Sequence, residues 1–134
     1  MKTKTTPTAP KRLGELQLSI MKILWEKGSV TVGEVQKALQ PGKDLAYTTV
    51  ATMLRKLEEK RLVTHTTKER TYIYQAAVRE ESVSKSMAGE LLDKLFEGNI
   101  AGMVSHLLTA RDVSTDELDA LDQLIQSKKK ETKS

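Results

Sequence analysis

Apolar residues recur at helical spacing through the first third of the chain. From Leu13 to Lys27, Leu13, Leu16, Ile20, Ile23 and Leu24 share one helix face, while Leu18, Met21 and Trp25 occupy another. A helix apolar on two sides is buried on two sides, so this segment reads as a central strut, ended by Gly28. Ser29-Val-Thr31 leaves room only for a brief extended link. Thr31-Val-Gly-Glu34 has the form of a capping box, with a hydroxyl and a carboxylate placed to satisfy each other's backbone N–H groups. A second helix starts there, turns Val32, Val35 and Leu39 inward, and stops at Pro41-Gly42. Between Leu45 and Arg61 a third helix gathers Val50, Met53, Leu54 and Leu57 into an arc of about 100°.

The period then changes. Leu62–Thr66 and Thr71–Ala76 are β-branched and aromatic runs with partial alternation, separated by Thr67-Lys68-Glu69-Arg70, which predicts a β-hairpin with a charged tip. Three helices and a hairpin make a winged helix-turn-helix over residues 13–77. Residues 78–134 read as purely helical. Val83, Met87 and Leu91, with Leu92, Leu95 and Phe96, mark a helix from about Glu80 to Glu97, stopped by Gly98-Asn99. Ile100, Met103, Val104, Leu107 and Leu108 mark a short second one. Ser114-Thr-Asp-Glu117 is another capping box, opening a helix with Leu118, Leu121, Leu124 and Ile125 inward, ahead of a solvated basic tail, Lys128–Ser134. Three short amphipathic helices bury too little surface by themselves. A partner is therefore expected, and an identical chain is the simplest one. The fold class is mainly α with a small β-hairpin wing: a winged helix-turn-helix followed by a C-terminal three-helix dimerisation region.

Composition narrows the class. At 134 residues, 38% hydrophobic and 30% charged, the chain is expected to form a soluble globular protein. The absence of cysteine excludes disulfides, cysteine zinc sites and thiol catalysis. No run approaches the length of a membrane span, and MKTKTTPTAPKR lacks the apolar centre of a signal peptide, so a cytoplasmic location is expected. Residues 1–76 hold 14 Lys and Arg against 7 Asp and Glu, whereas residues 77–134 hold 8 against 11. A basic first half is the half that would face a polyanion.

The third helix carries the candidate chemistry. Opposite its apolar arc stand Thr48, Thr52 and Arg55, flanked by Thr49 and Lys56 on one side and by the small Ala51 on the other. Hydroxyls and cations on a slim face suit a DNA major groove, where they bond base edges and phosphates; a solvated amphipathic helix is the bland alternative. Lys68 and Arg70 on the wing are placed to reach phosphates or the adjoining minor groove. Residues 1–12, with Pro7 and Pro10, read as a disordered basic arm. Catalysis finds no support: no Ser/His/Asp arrangement or phosphate-cradling glycine loop occurs, and His65 and His106 lie in different segments. The acidic residues Asp93, Glu97, Asp116, Glu117, Asp119 and Asp122 suit exposed helix faces and a helix N-terminus better than a metal cluster. No enzyme activity, cofactor or metal is expected.

The runs ELQLSIMKILW (Glu15–Trp25), Val32-Gly-Glu-Val35, LAYTTVATMLRKLEEKRLV (Leu45–Val63) and ERTYIYQAAV, with the capped terminal helix, carry a further signal. Together they resemble the penicillinase and methicillin-resistance repressor family, the BlaI, MecI and CopY group. The resemblance implies a dimeric transcriptional repressor, with winged helices on a palindromic operator in double-stranded DNA and the C-terminal helices entwined as a homodimer. Carried over by position, Tyr47, Thr48, Thr49, Thr52, Arg55 and Lys56 would be recognition-helix contacts, and Lys68 and Arg70 wing contacts. The dimer interface would take Val83, Met87, Leu91, Leu95, Ile100, Met103, Val104, Leu107, Leu118, Leu121, Leu124 and Ile125. Copper-responsive members carry a C-terminal cysteine motif that this chain lacks. Antibiotic-responsive members are cleaved at an Asn-Phe bond, with a membrane sensor protease as the implied further partner, yet His106-Leu107 occupies that place here. A different protease preference and a different inducing signal stay open. Two other readings compete: a winged helix used for protein contact, and a DNA-binding regulator with a small-molecule pocket in the dimer core.

Overall fold

The order of elements is α1 (Glu15–Lys27), α2 (Val32–Leu39), α3 (Tyr47–Glu59), β1 (Val63–Lys68), β2 (Thr71–Ala76), α4 (Glu80–Phe96), α5 (Ile100–Ala110) and α6 (Thr115–Lys133). The computed structural model describes residues 13–133; the arm expected over residues 1–12 lies outside them. Two compact units divide between Gly89 and Glu90, within α4.

The first unit is a winged helix-turn-helix around an aliphatic core. Ile20, Met21, Ile23 and Leu24 of α1 are buried, and Leu16, Leu18 and Trp25 pack at the margin of the same core, so α1 is covered on both sides. Gly28, at φ 91°, closes the helix by donating its N–H to the Leu24 carbonyl at 2.8 Å; a side chain there would be strained. The capping box at the start of α2 is formed: the Glu34 N–H donates to Thr31 Oγ1 at 3.2 Å, and the Thr31 N–H donates to Glu34 Oε1 at 2.8 Å. Val32, Val35 and Leu39 face the core from α2, and Val50, Leu54 and Leu57 face it from α3. Helix α3 ends in a Schellman arrangement around Arg61, at φ 68°. There the Leu62 N–H reaches the Leu57 carbonyl at 3.0 Å and the Arg61 N–H reaches Glu58 at 2.9 Å.

The hairpin is longer than its sequence implies. Register runs from Val63 opposite Ala76 to Lys68 opposite Thr71, which leaves Glu69 and Arg70 as a two-residue turn with φ 52° and 67°. Positive φ at both positions is the mirror-image turn whose twist matches that of the strands. Lys68 therefore lies in β1 rather than in the tip. The link at Ser29–Thr31 also does more than connect, because Val30 and Tyr74 exchange both backbone hydrogen bonds, at 2.9 and 2.7 Å. This short third edge anchors the base of the wing.

The first turns of α4 belong to this unit. Trp25 Nε1 donates to the Val78 carbonyl at 2.9 Å, and Val83, at 1% exposure, sits in the core with Met87 packed beside it. Val83 is thus already covered by its own chain, which removes it from the expected dimer interface, whereas Met87 is only partly buried.

In the second unit, Asn99 caps α5, its side-chain oxygen accepting the Gly102 N–H at 3.0 Å. Ser114 and Glu117 form the second capping box, at 3.1 and 3.4 Å. The basic segment expected as a solvated tail is exposed, and it continues α6 through Lys133. Lysine is a good helix former, and cations in a last turn oppose the macrodipole. No residue of α5 or α6 is buried.

Candidate nucleic-acid interface

Helix α3 is held at both ends. Gln36 of α2 donates through Nε2 to the Leu45 carbonyl at 2.9 Å, fixing the turn that feeds α3, and Lys60 donates to Gln17 of α1 at 3.0 Å. With Val50, Leu54 and Leu57 turned inward, the helix must turn Tyr47, Thr48, Arg55 and Lys56 outward, and all four are exposed. Thr52 on that face and Thr49 on its flank are half-buried. Arg55, Lys56, Lys68 and Arg70 make no ion pair with any described residue, so their charge is available to phosphates.

A cleft of about 510 Å³ separates α3 from the wing. Arg55 and Tyr47 line it from the helix, Arg70 and Tyr72 from the hairpin, and Tyr74 and His65 lie deeper. The structure thereby brings together two of the cations singled out in sequence, Arg55 and Arg70, while Lys56 and Lys68 are not among the residues lining the cleft. Glu58, His65, Tyr72 and Tyr74 also shape it and were not singled out for this role. His65 Nδ1 lies 2.8 Å from both carboxylate oxygens of Glu58. Its ring stacks on Tyr72 with centroids 4.1 Å apart and tilts against Tyr74 at 5.5 Å. The signal available in sequence was the register, which sets His65 opposite Tyr74 once the turn is known to have two residues. Burial pushes the Tyr74 phenol above its ordinary value, the Glu58 and Tyr72 charges add to this, and Arg55 opposes it. The cleft thus gathers the Tyr74 phenol and the Arg55 and Arg70 guanidiniums.

The second unit offers a different kind of surface. Leu91, Leu95, Ile100, Leu107, Leu124 and Ile125 are each at least about half exposed. Val104 and Leu118 are exposed, while Met103 and Leu121 are half-buried. Val104, Leu118, Leu121, Leu124 and Ile125 line a single apolar groove. So many large apolar side chains in water exceed what isolated exposed residues explain. Among the described residues no group of three or more His, Asp or Glu side chains converges to hold a metal ion, and no helix is long and apolar enough to cross a membrane.

These features have counterparts in known proteins. The penicillinase repressor of Bacillus licheniformis is 25% identical over 122 residues, covering 91% of this chain and 95% of that protein. The transcriptional regulator BlaI of Mycobacterium tuberculosis is 36% identical over 112 residues, covering 82% and 80%. In fold, the YusO protein from Bacillus subtilis superposes with a TM-score of 0.52 at 16% identity, over 88% of this chain and 75% of that one. The penicillinase repressor family model matches residues 13–127, from the start of the winged helix into the last helix. Matched across both units, the chain belongs to the penicillinase repressor family.

Proposed function

We propose that the chain is a dimeric, sequence-specific DNA-binding transcriptional repressor that occupies a palindromic operator. The observation that carries this reading is the outward face of α3, where Tyr47, Thr48, Arg55 and Lys56 stand exposed and the cations have no carboxylate partner among the described residues. Inserted into a major groove, α3 reads base edges with Thr48, Thr52 and Arg55. Tyr47, Thr49 and Lys56 bind the flanking backbone, while Lys68 and Arg70 bring the wing to phosphates or the minor groove. The exposed apolar surface of the second unit pairs with that of an identical chain, through Leu91, Leu95, Ile100, Met103, Val104, Leu107, Leu118, Leu121, Leu124 and Ile125. Pairing sets two α3 helices on half-sites about one helical turn, or a multiple, apart, and the dimer excludes polymerase. Tethering two modest half-site affinities raises the whole through effective concentration. Relief then follows from any signal that acts on the second unit, proteolysis by a membrane sensor protease included. His106 and Leu107 are exposed but lie within α5, so cleavage between them requires that helix to open first.

The locations of the two surfaces disfavour a winged helix used for protein contact. Among the described residues the large aliphatic side chains that stand exposed are in the second unit, whereas the α3 face is hydroxylic and cationic, poor material for the centre of a protein interface. Selection of bound fragments from random duplex DNA by the purified chain tests the proposal. Enrichment of an inverted repeat is the expected outcome; no enrichment in dilute salt would contradict it.

A further inference from the structure

The cleft between α3 and the wing has more structure than a phosphate contact needs. A phosphate would engage the arginines and the Tyr47 hydroxyl and leave the ring faces of Tyr72, Tyr74 and His65 unused. These rings provide flat apolar walls, two of them already stacked at 4.1 Å. Glu58, the acid in the cleft, is engaged by His65 at 2.8 Å and makes no ion pair with Arg55 or Arg70. Both guanidiniums therefore keep their charge for an incoming anion, and planar guanidinium is suited to carboxylate. The volume, about 510 Å³, lies within the range of small-molecule sites.

We propose that this cleft binds a small planar aromatic carboxylate, its ring against the tyrosines and its carboxylate on Arg55 and Arg70, and that the bound acid competes with DNA. The competition rests on the reading of α3 and the wing as the DNA face, because Tyr47, Arg55 and Arg70 serve both ligands. Occupancy would then release the operator without touching the dimer.

The test is calorimetric titration of the full chain, without DNA, using 2-naphthoate and its neutral isostere 2-naphthamide. Saturable binding of one naphthoate per chain is expected, with the amide at least about tenfold weaker. Arg70→Gln should weaken naphthoate by about tenfold while leaving the amide unchanged, and Tyr72→Ala should weaken both. Both residues are exposed, and melting curves would verify that the variants fold. Absence of saturable heat through millimolar naphthoate overturns the proposal, as does equal affinity for the amide or indifference to both substitutions. A second arm adds the selected duplex: naphthoate should displace it, and duplex that stays bound on the saturated chain refutes the competition. A chain that binds naphthoate in this pattern yet ignores all duplexes upholds the site and sinks the DNA reading instead.

Discussion

His65 on β1 donates through Nδ1 to the carboxylate of Glu58 on α3, 2.8 Å from each oxygen, and so joins the wing directly to the proposed recognition helix. The two side chains are 27% and 33% exposed, which places the contact at the edge of water, where a charge-assisted bond keeps part of its strength. Behind it, the ring stacks on Tyr72. His65→Ala removes both interactions and should cost about 1 to 2 kcal/mol in urea unfolding. Operator affinity should fall as well, since a wing no longer tied to α3 must be ordered on binding.

Tyr74 ties the same region to pH. Its phenol is raised by burial above the ordinary value, so the folded state holds the proton more tightly than the unfolded one. The resulting contribution to stability is complete below the unfolded value of about 10 and is lost as pH rises through the folded value. Tyr74→Phe should reduce the alkaline loss of stability. Urea midpoints measured on both proteins between about pH 8 and 11 give the comparison, and parallel declines would refute the assignment.

Local chemistry was legible where it is short-ranged. Thr31 and Glu34 lie three residues apart and satisfy each other's backbone wherever the helix packs, so the capping box could be read directly from the chain. Gly28 and the second box at Ser114 were legible for the same reason. Pairings set by distant neighbours were not. Val83, Met87 and Leu91 form one stripe on α4, and nothing in their spacing tells that Val83 is covered by the winged-helix core while Leu91 stays half exposed. Glu69-Arg70 lacks the Asn or Gly that would announce a two-residue turn, which hid the length of β1 and with it the approach of His65 to Tyr74. The end of α6 was hidden because lysine-rich sequence suits a helix and a solvated tail equally.

Thr31→Ala should destabilise the first unit by about 1 kcal/mol, the usual worth of a side-chain N-cap. Chemical unfolding followed through Trp25, which lies in the same unit, reports the change. Thr31→Ser keeps the oxygen and should recover most of it.

Arg55→Ala and Lys68→Ala separate reading from positioning. If Arg55 contacts a base edge, its loss should cost about 1 to 3 kcal/mol and relax preference at one base position, whereas loss of Lys68 should weaken all sequences alike and flatten the salt dependence. Binding isotherms on the selected operator and its single-base variants, at several salt concentrations, make the comparison. Indistinguishable behaviour of the two would contradict the assigned roles.

In the proposed assembly two chains, joined through their second units, grip one two-fold duplex. Sedimentation of the full chain at micromolar concentration, alone and with the selected palindrome, measures this directly. A particle of twice the 15.0 kDa chain mass is expected for the chain alone, and that mass plus one duplex with the palindrome, two chains per duplex. Single 15.0 kDa chains that load a half-site as tightly as the full palindrome would contradict it.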